Sequence, residues 1–277
     1  APLGATLRIS SLFAGLPASN KCRTVDNGDP VVLYDPIADR WLITQFAISG
    51  PSGEASPPNF QCIAVSVTGD PTGAYYAYGF RMPNDYFHDY PHFGVWPDGY
   101  YAAAHEFNSI GTAFVESGFF AFNRDKMLVG DPSANYIYIG RSATFGHLPA
   151  DIDGYMPPPA GTPAMFFENV ANEFGATADA ILAYEFVPNY TTPALSTLTA
   201  KPAVNTAAFD PRDPSGRNDV EQPSPATTAQ YLDAIGNRML QRITYRNLGT
   251  VASPVHAYTM NWNVNVSGVN PTTVSTH

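Results

Sequence analysis

Aspartates recur at corresponding places along this chain. Asp29, Asp89, Asp151 with Asp153, and Asp233 each stand where a new run of alternating apolar residues begins, and His92 follows Asp89 closely. If folding brings such carboxylates together in a low-dielectric setting, they repel by several kcal/mol unless protonated, hydrogen-bonded or bridged by a cation. Oxygen ligands suit calcium, so one expectation is a Ca2+ site drawn from Asp29, Asp89, His92, Asp151, Asp153 and Asp233. The plainer expectation is that these side chains cap turns and accept backbone N–H bonds. Paired carboxylates also serve hydrolysis. An inverting glycosidase needs a base and an acid about 6.5 to 9.5 Å apart. Asp29 would then be the base, with Asp151, Asp153 or Asp233 as its partner; Glu106 reads as pointing away and offers no convincing acid.

Other reactive residues are sparse. His88, His92, His105 and His147 fall near unit boundaries and could join a transition-metal site, although ordinary loop histidines explain them equally well. Cys22 and Cys62 are the only cysteines, too few for a structural zinc, which leaves one disulfide or two buried thiols. No nucleophile elbow, phosphate loop or dinucleotide fingerprint is present. Trp41, Trp96 and the abundant Tyr suit either sugar stacking or packing between sheets.

The elements that must position these residues are strands. The 277 residues carry 26 Pro and 22 Gly, which break the sequence too often for long helices. Hydrophobic content of 44 % with 13 % aromatics argues for a folded core. A net charge of -10, with 14 Lys and Arg in all, leaves no basic stripe for nucleic acid or an anionic membrane surface. No apolar run is long enough to insert in lipid as a helix. The sequence opens at Ala1 without a basic-plus-apolar leader, which fits a trimmed secretory protein or a chain lacking its leader. Scarce Lys and two sequons, Asn189-Tyr190-Thr191 and Asn265-Val266-Ser267, also favour export to an extracellular or periplasmic space.

A strand pattern returns about every 60 residues. Val31–Tyr34 and Arg40–Phe46 predict a hairpin, followed by strands at Phe60–Thr68 and Ala74–Arg81. The second unit repeats this with Phe93–Trp96, Tyr100–Phe107, Gly118–Asn123 and Asn135–Gly140. A looser third unit opens at Ala150-Asp151-Ile152-Asp153-Gly154 and continues through Ala164–Glu168, Ala180–Val187 and Leu195–Ala200. After a loop from Asp210 to Pro225, a fourth unit opens at Leu232 and supplies Met239–Tyr245 and Val255–Val264. About four blade-sized units predict a β-propeller of four-stranded blades, with a sandwich as the alternative. The fourth unit lacks an outer strand and the chain begins with a spare one, Thr6–Phe13, whose addition would close the ring and remove exposed edges. Residues 1–265 read as this one domain and 266–277 as a polar tail.

The runs Gly28-Asp29-Pro30-Val31-Val32-Leu33-Tyr34-Asp35, Cys62-Ile63-Ala64-Val65-Ser66 and Gly69-Asp70-Pro71-Thr72-Gly73 resemble those of secreted bacterial propeller-like proteins of uncharacterised function. Gly94-Val95-Trp96-Pro97-Asp98, Leu148–Gly154 and Tyr245-Arg246-Asn247 follow in the order of that group. The resemblance implies a propeller fold and a Cys22–Cys62 disulfide, not an activity. Its members are longer at both ends, so the chain is either a four-bladed ring or part of a larger one that takes a second chain. The Asp-Pro opening is also faintly similar to arabinan- and xylan-cleaving propeller hydrolases. Together these readings predict a secreted binding or scaffold protein whose acidic channel mouth holds a cation or a small polar ligand such as a glycan, with a glycosidase-like hydrolase as the alternative.

Overall fold

Asp35 starts the first turn by accepting the N–H groups of Ile37 and Ala38 on one carboxylate oxygen, at 3.0 and 3.1 Å. This Asx-type geometry reverses the chain between β1 (Val31–Asp35) and β2 (Arg40–Ser49). β3 (Ala55–Ser66) and β4 (Tyr75–Arg81) complete a four-stranded antiparallel meander. The second meander is β5 (Phe87–Trp96), β6 (Gly99–Phe107), β7 (Phe114–Phe122) and β8 (Tyr136–Arg141), with a short α-helix at Arg124–Leu128. The third consists of β9 (Leu148–Ile152), β10 (Ala164–Val170), β11 (Ala180–Val187) and β12 (Thr197–Ala200), with β13 (Val204–Asn205) also on β11. A ribbon of β14 (Asn218–Val220) and β15 (Leu232–Asp233) precedes the long hairpin β16 (Met239–Asn247) and β17 (His256–Val264), which β18 (Ser275–Thr276) extends.

This computed structural model describes residues 6–49, 54–142, 144–154, 156–211, 218–220, 222–223, 227, 230–250, 252–264 and 275–276. The sequon at 265–267 lies outside the described residues, and of the expected tail only Ser275 and Thr276 lie within them, paired to β17.

The molecule is all-β, and two sequence expectations need correction. Thr6–Phe13 is not a closing strand. Ile9–Phe13 is a 3-10 helix packed on the first sheet, where Phe13 and Cys22 share a core with Ala47, Phe60, Cys62 and Ala64. Ile9, Leu12, Phe13 and Leu16 follow the helical i, i+3, i+4, i+7 spacing rather than an alternating one, and Asp26 anchors the turn by accepting from the Ser10 N–H and hydroxyl at 2.6 and 2.8 Å. The Cys22–Cys62 disulfide ties this segment to β3. The fourth unit, in turn, is not a separate four-stranded sheet. β16 runs parallel to β9, with Ile243 opposite Ala150 and Tyr245 opposite Ile152, and so joins the third meander in one eight-stranded sheet.

Alternation of side chains along the strands sets up successive cores. Leu42, Ile63 and Val65 of the first sheet meet Phe93, Val95 and Tyr100 of the second. Tyr101, Phe119 and Ala121, on the opposite face of the second sheet, meet Phe166, Phe186, Ile243 and Tyr245. Asp35 and Arg124 form a buried ion pair at 2.6 Å that links the first two sheets, and the Tyr100 hydroxyl donates to the same carboxylate at 2.9 Å. The leading strands meet as well: β1 packs on β5, and β5 on β9 and β16. Gly94 permits this contact, since a Cβ there would lie 2.3 Å from the Ala150 carbonyl oxygen.

Candidate functional site

The convergence of leading strands has two ends, and the structure divides the predicted acids between them. At the upstream end, Asp29 takes a left-handed φ of 44° before Pro30 and lies beside Asp89. Partial burial, then the Asp89 charge, raises the Asp29 pKa above the ordinary carboxylate range. A register shift in β5 between Asp89 and His92, with Tyr90 at φ 54°, turns the Tyr90 hydroxyl onto the Met239 carbonyl at 3.1 Å.

Rings and a guanidinium, rather than a circle of acids, fill this end. His105 stacks between Phe145 and Tyr90, at ring separations of 3.9 and 5.5 Å. His92 meets the Tyr90 ring edge-on at 4.2 Å. Arg238 lies 4.9 Å from the Tyr90 ring centre and 5.0 Å from that of Phe145, within cation–π range. Burial drives the His92 pKa down to about 4 and that of His105 to about 3, so both are neutral at ordinary pH.

Asp151 and Asp153 stand elsewhere. The sequence reading put them at the start of their strand, but β9 begins three residues before Asp151 and ends before Asp153. Asp151 is level with Val95, whose N–H it accepts at 2.8 Å, and so lies downstream of Asp89 and His92. Arg242 pairs with Asp151 and, at 3.1 Å, with Asp153; Arg246 donates to Asp153 at 2.7 Å. Burial raises the Asp151 pKa against the pull of the Val95 N–H and Arg242, whereas hydrogen bonding from Arg246 and Arg242 lowers that of Asp153. Both acids are thus compensated by arginine.

Asp233 belongs to the β14–β15 ribbon and accepts the Ile235 N–H at 2.9 Å. Of the expected acid ring, then, only Asp29 and Asp89 meet at the upstream end, with His92 one strand residue beyond Pro91. Among the described residues no group of three or more His, Cys, Asp or Glu could hold a metal ion. Glu106 lies opposite His88 and Glu116 across its neighbouring strands, is fully buried, and has its pKa pushed up to about 8 by burial and then by the Glu116 charge.

The downstream end is open. A cleft of about 630 Å3 is lined by Tyr34 and Val32 of β1, by Asp151 and Asp153, and by Gln241 and Arg242 of β16. Tyr34, 42 % exposed, leans on Trp41 at 5.1 Å and donates its hydroxyl to Asp39 at 2.7 Å. The cleft combines an aromatic wall, an amide and a guanidinium held between two carboxylates, which places fixed donors and acceptors beside an apolar surface. Trp96 has no such role: it is fully buried, packs on Tyr245 and donates to the Thr162 carbonyl at 2.8 Å. The arginines and Tyr34 were missed in the sequence reading. A signal existed in Arg238, Arg242 and Arg246, spaced four apart in a chain with few basic residues.

No protein-family model, curated protein or solved structure matches the chain.

Proposed function

We propose that the chain is a propeller-type binding protein that holds a small polar ligand, a glycan unit, in the cleft of Tyr34, Asp151, Asp153, Gln241 and Arg242. The observation that carries this reading is the Arg242 guanidinium fixed between Asp151 and Asp153 at the open downstream end, beside an exposed tyrosine ring. Such an array meets neighbouring sugar hydroxyls with charge-assisted hydrogen bonds while the ring covers the apolar sugar face. The propeller arrangement is supported by β1, β5 and β9, which open the three successive meanders and pack in turn, β1 on β5 and β5 on β9. The disulfide supports an oxidising compartment, as secretion would provide.

Calorimetry against a panel of mono- and oligosaccharides tests the reading. At least one saccharide binds wild type, and Asp153→Asn and Tyr34→Ala each weaken it about tenfold with thermal stability little changed. A panel without a binder, or variants that bind as wild type does, overturns it. The hydrolase alternative is read in the same samples by product release, with Asp29→Asn as its control. The Ca2+ expectation now leans on the Asp29–Asp89 pair, and a thermal shift on adding chelator reads it. A second chain completing a larger ring would cover Val32, Tyr34 and Ile37, which are 55, 42 and 42 % exposed, and sedimentation detects self-association.

A further inference from the structure

A second cavity, of about 580 Å3, opens beside β10 and shares no lining residue with the glycan cleft. Glu168 and Asn169 of β10 line it, with Phe114 of β7, Phe145, Phe174 and Asn237. Glu168 is the one charged residue among those lining it, and no Lys or Arg does so. Glu168 and Asn169 are 5 and 4 % exposed. One Glu168 oxygen accepts the Phe145 N–H at 3.0 Å, and the other stands 3.0 Å from His147 Nε2. The Asn169 side-chain oxygen is buried and has no hydrogen-bond partner. A buried acceptor left without a donor is costly, so a ligand that brings N–H groups gains by filling it.

The surroundings select a cation. Glu173, in the same turn as Phe174, interacts electrostatically with Asp179 and Asp210, and Asp179 anchors that turn by accepting the Asn172 N–H at 2.9 Å. Around it stand His147, 3.0 Å from Glu168, Arg141, which donates to the Leu198 carbonyl, and Arg238, which stacks on Phe145; none of the three lines the cavity. Phe145 has His105 against it at 3.9 Å. Phe114, which packs edge-on against Phe107 and Phe145, and Phe174 are 38 and 41 % exposed and supply apolar walls. The chain's net charge of -10 adds a long-range bias toward cations.

We propose that this cavity binds a protonated primary amine bearing an apolar group, with its ammonium on Glu168 and Asn169 and its apolar part on Phe114 and Phe174. The inference is independent of the glycan reading. Titration calorimetry at about pH 8 compares phenethylammonium with the neutral phenethyl alcohol and the anionic phenylacetate. The amine binds, and the alcohol and the acid bind at least about tenfold more weakly. Glu168→Gln removes the preference for the amine over the alcohol, and Phe174→Ala weakens both. Absence of amine binding, equal affinity for amine and alcohol, or an unaltered preference in Glu168→Gln overturns the proposal. Should Glu168→Gln fail to fold, the charge preference of wild type and the Phe174→Ala result decide.

Discussion

Glu106 shows most clearly how position overrides residue type. Free in solution its carboxyl would ionise near pH 4.3; buried opposite Glu116 it keeps its proton up to about pH 8. Between those values the unfolded chain releases a proton that the folded chain retains, so stability falls as pH rises through that window. Glu106→Gln keeps the neutral shape and removes the penalty. The variant should exceed wild type by a few kcal/mol at pH 8 and match it near pH 4, as read by urea unfolding; an equal difference at both pH values would refute the assignment. His88, His92 and His105 act in the opposite direction. Their pKa values are lowered by burial, so their contribution is present above about pH 6.5 and is lost as pH falls toward their folded values. None of this was legible in the sequence, where Glu106 and His88 are eighteen residues apart and only the register of β5 on β6 brings them opposite.

The hairpins, by contrast, could be read directly. Val31–Tyr34 with Arg40–Phe46, and Tyr100–Phe107, coincide with β1, β2 and β6 to within a few residues because alternating burial and turn chemistry agree there. The first segment failed because the strand reading stopped at Phe13 and passed over the helical spacing of Ile9, Leu12, Phe13 and Leu16, while the group that anchors it, Asp26, lies outside it. That segment now covers the outer face of the first sheet under a disulfide spanning 40 residues. Closing a loop of that length limits the unfolded chain by about 4 kcal/mol. The double variant Cys22→Ser with Cys62→Ser should lose roughly that amount in denaturant titration and expose residues 9–25 to protease before the rest of the chain. Retained stability and unchanged cleavage would mean that the cover holds without the bond.

Across the whole molecule, the first and second sheets each wall two cores and the eight-stranded sheet closes the last of them, so removing a wall exposes the core behind it. The predicted acid ring was a statement at this scale, and it failed because strand order alone does not say how far along its strand an aspartate stands. Asp151 and Asp89 differ by most of a strand length. The hairpin β16–β17 is the final wall: Met239, Ile243 and Tyr245 are fully buried against the third meander. A chain ending before Leu232 should therefore bind hydrophobic dyes and lose its near-ultraviolet circular dichroism while keeping much of its strand signal. A sharply melting, dye-silent truncation would show that the first three meanders stand alone.

Tyr90 reaches the Met239 carbonyl 149 residues later, and Asp151 waits for Arg242, 91 residues on. On the ribosome, the early meanders emerge well before either partner exists. Both ends of the converging strands therefore stay unfinished until β16 has been made, well after β1, β5 and β9.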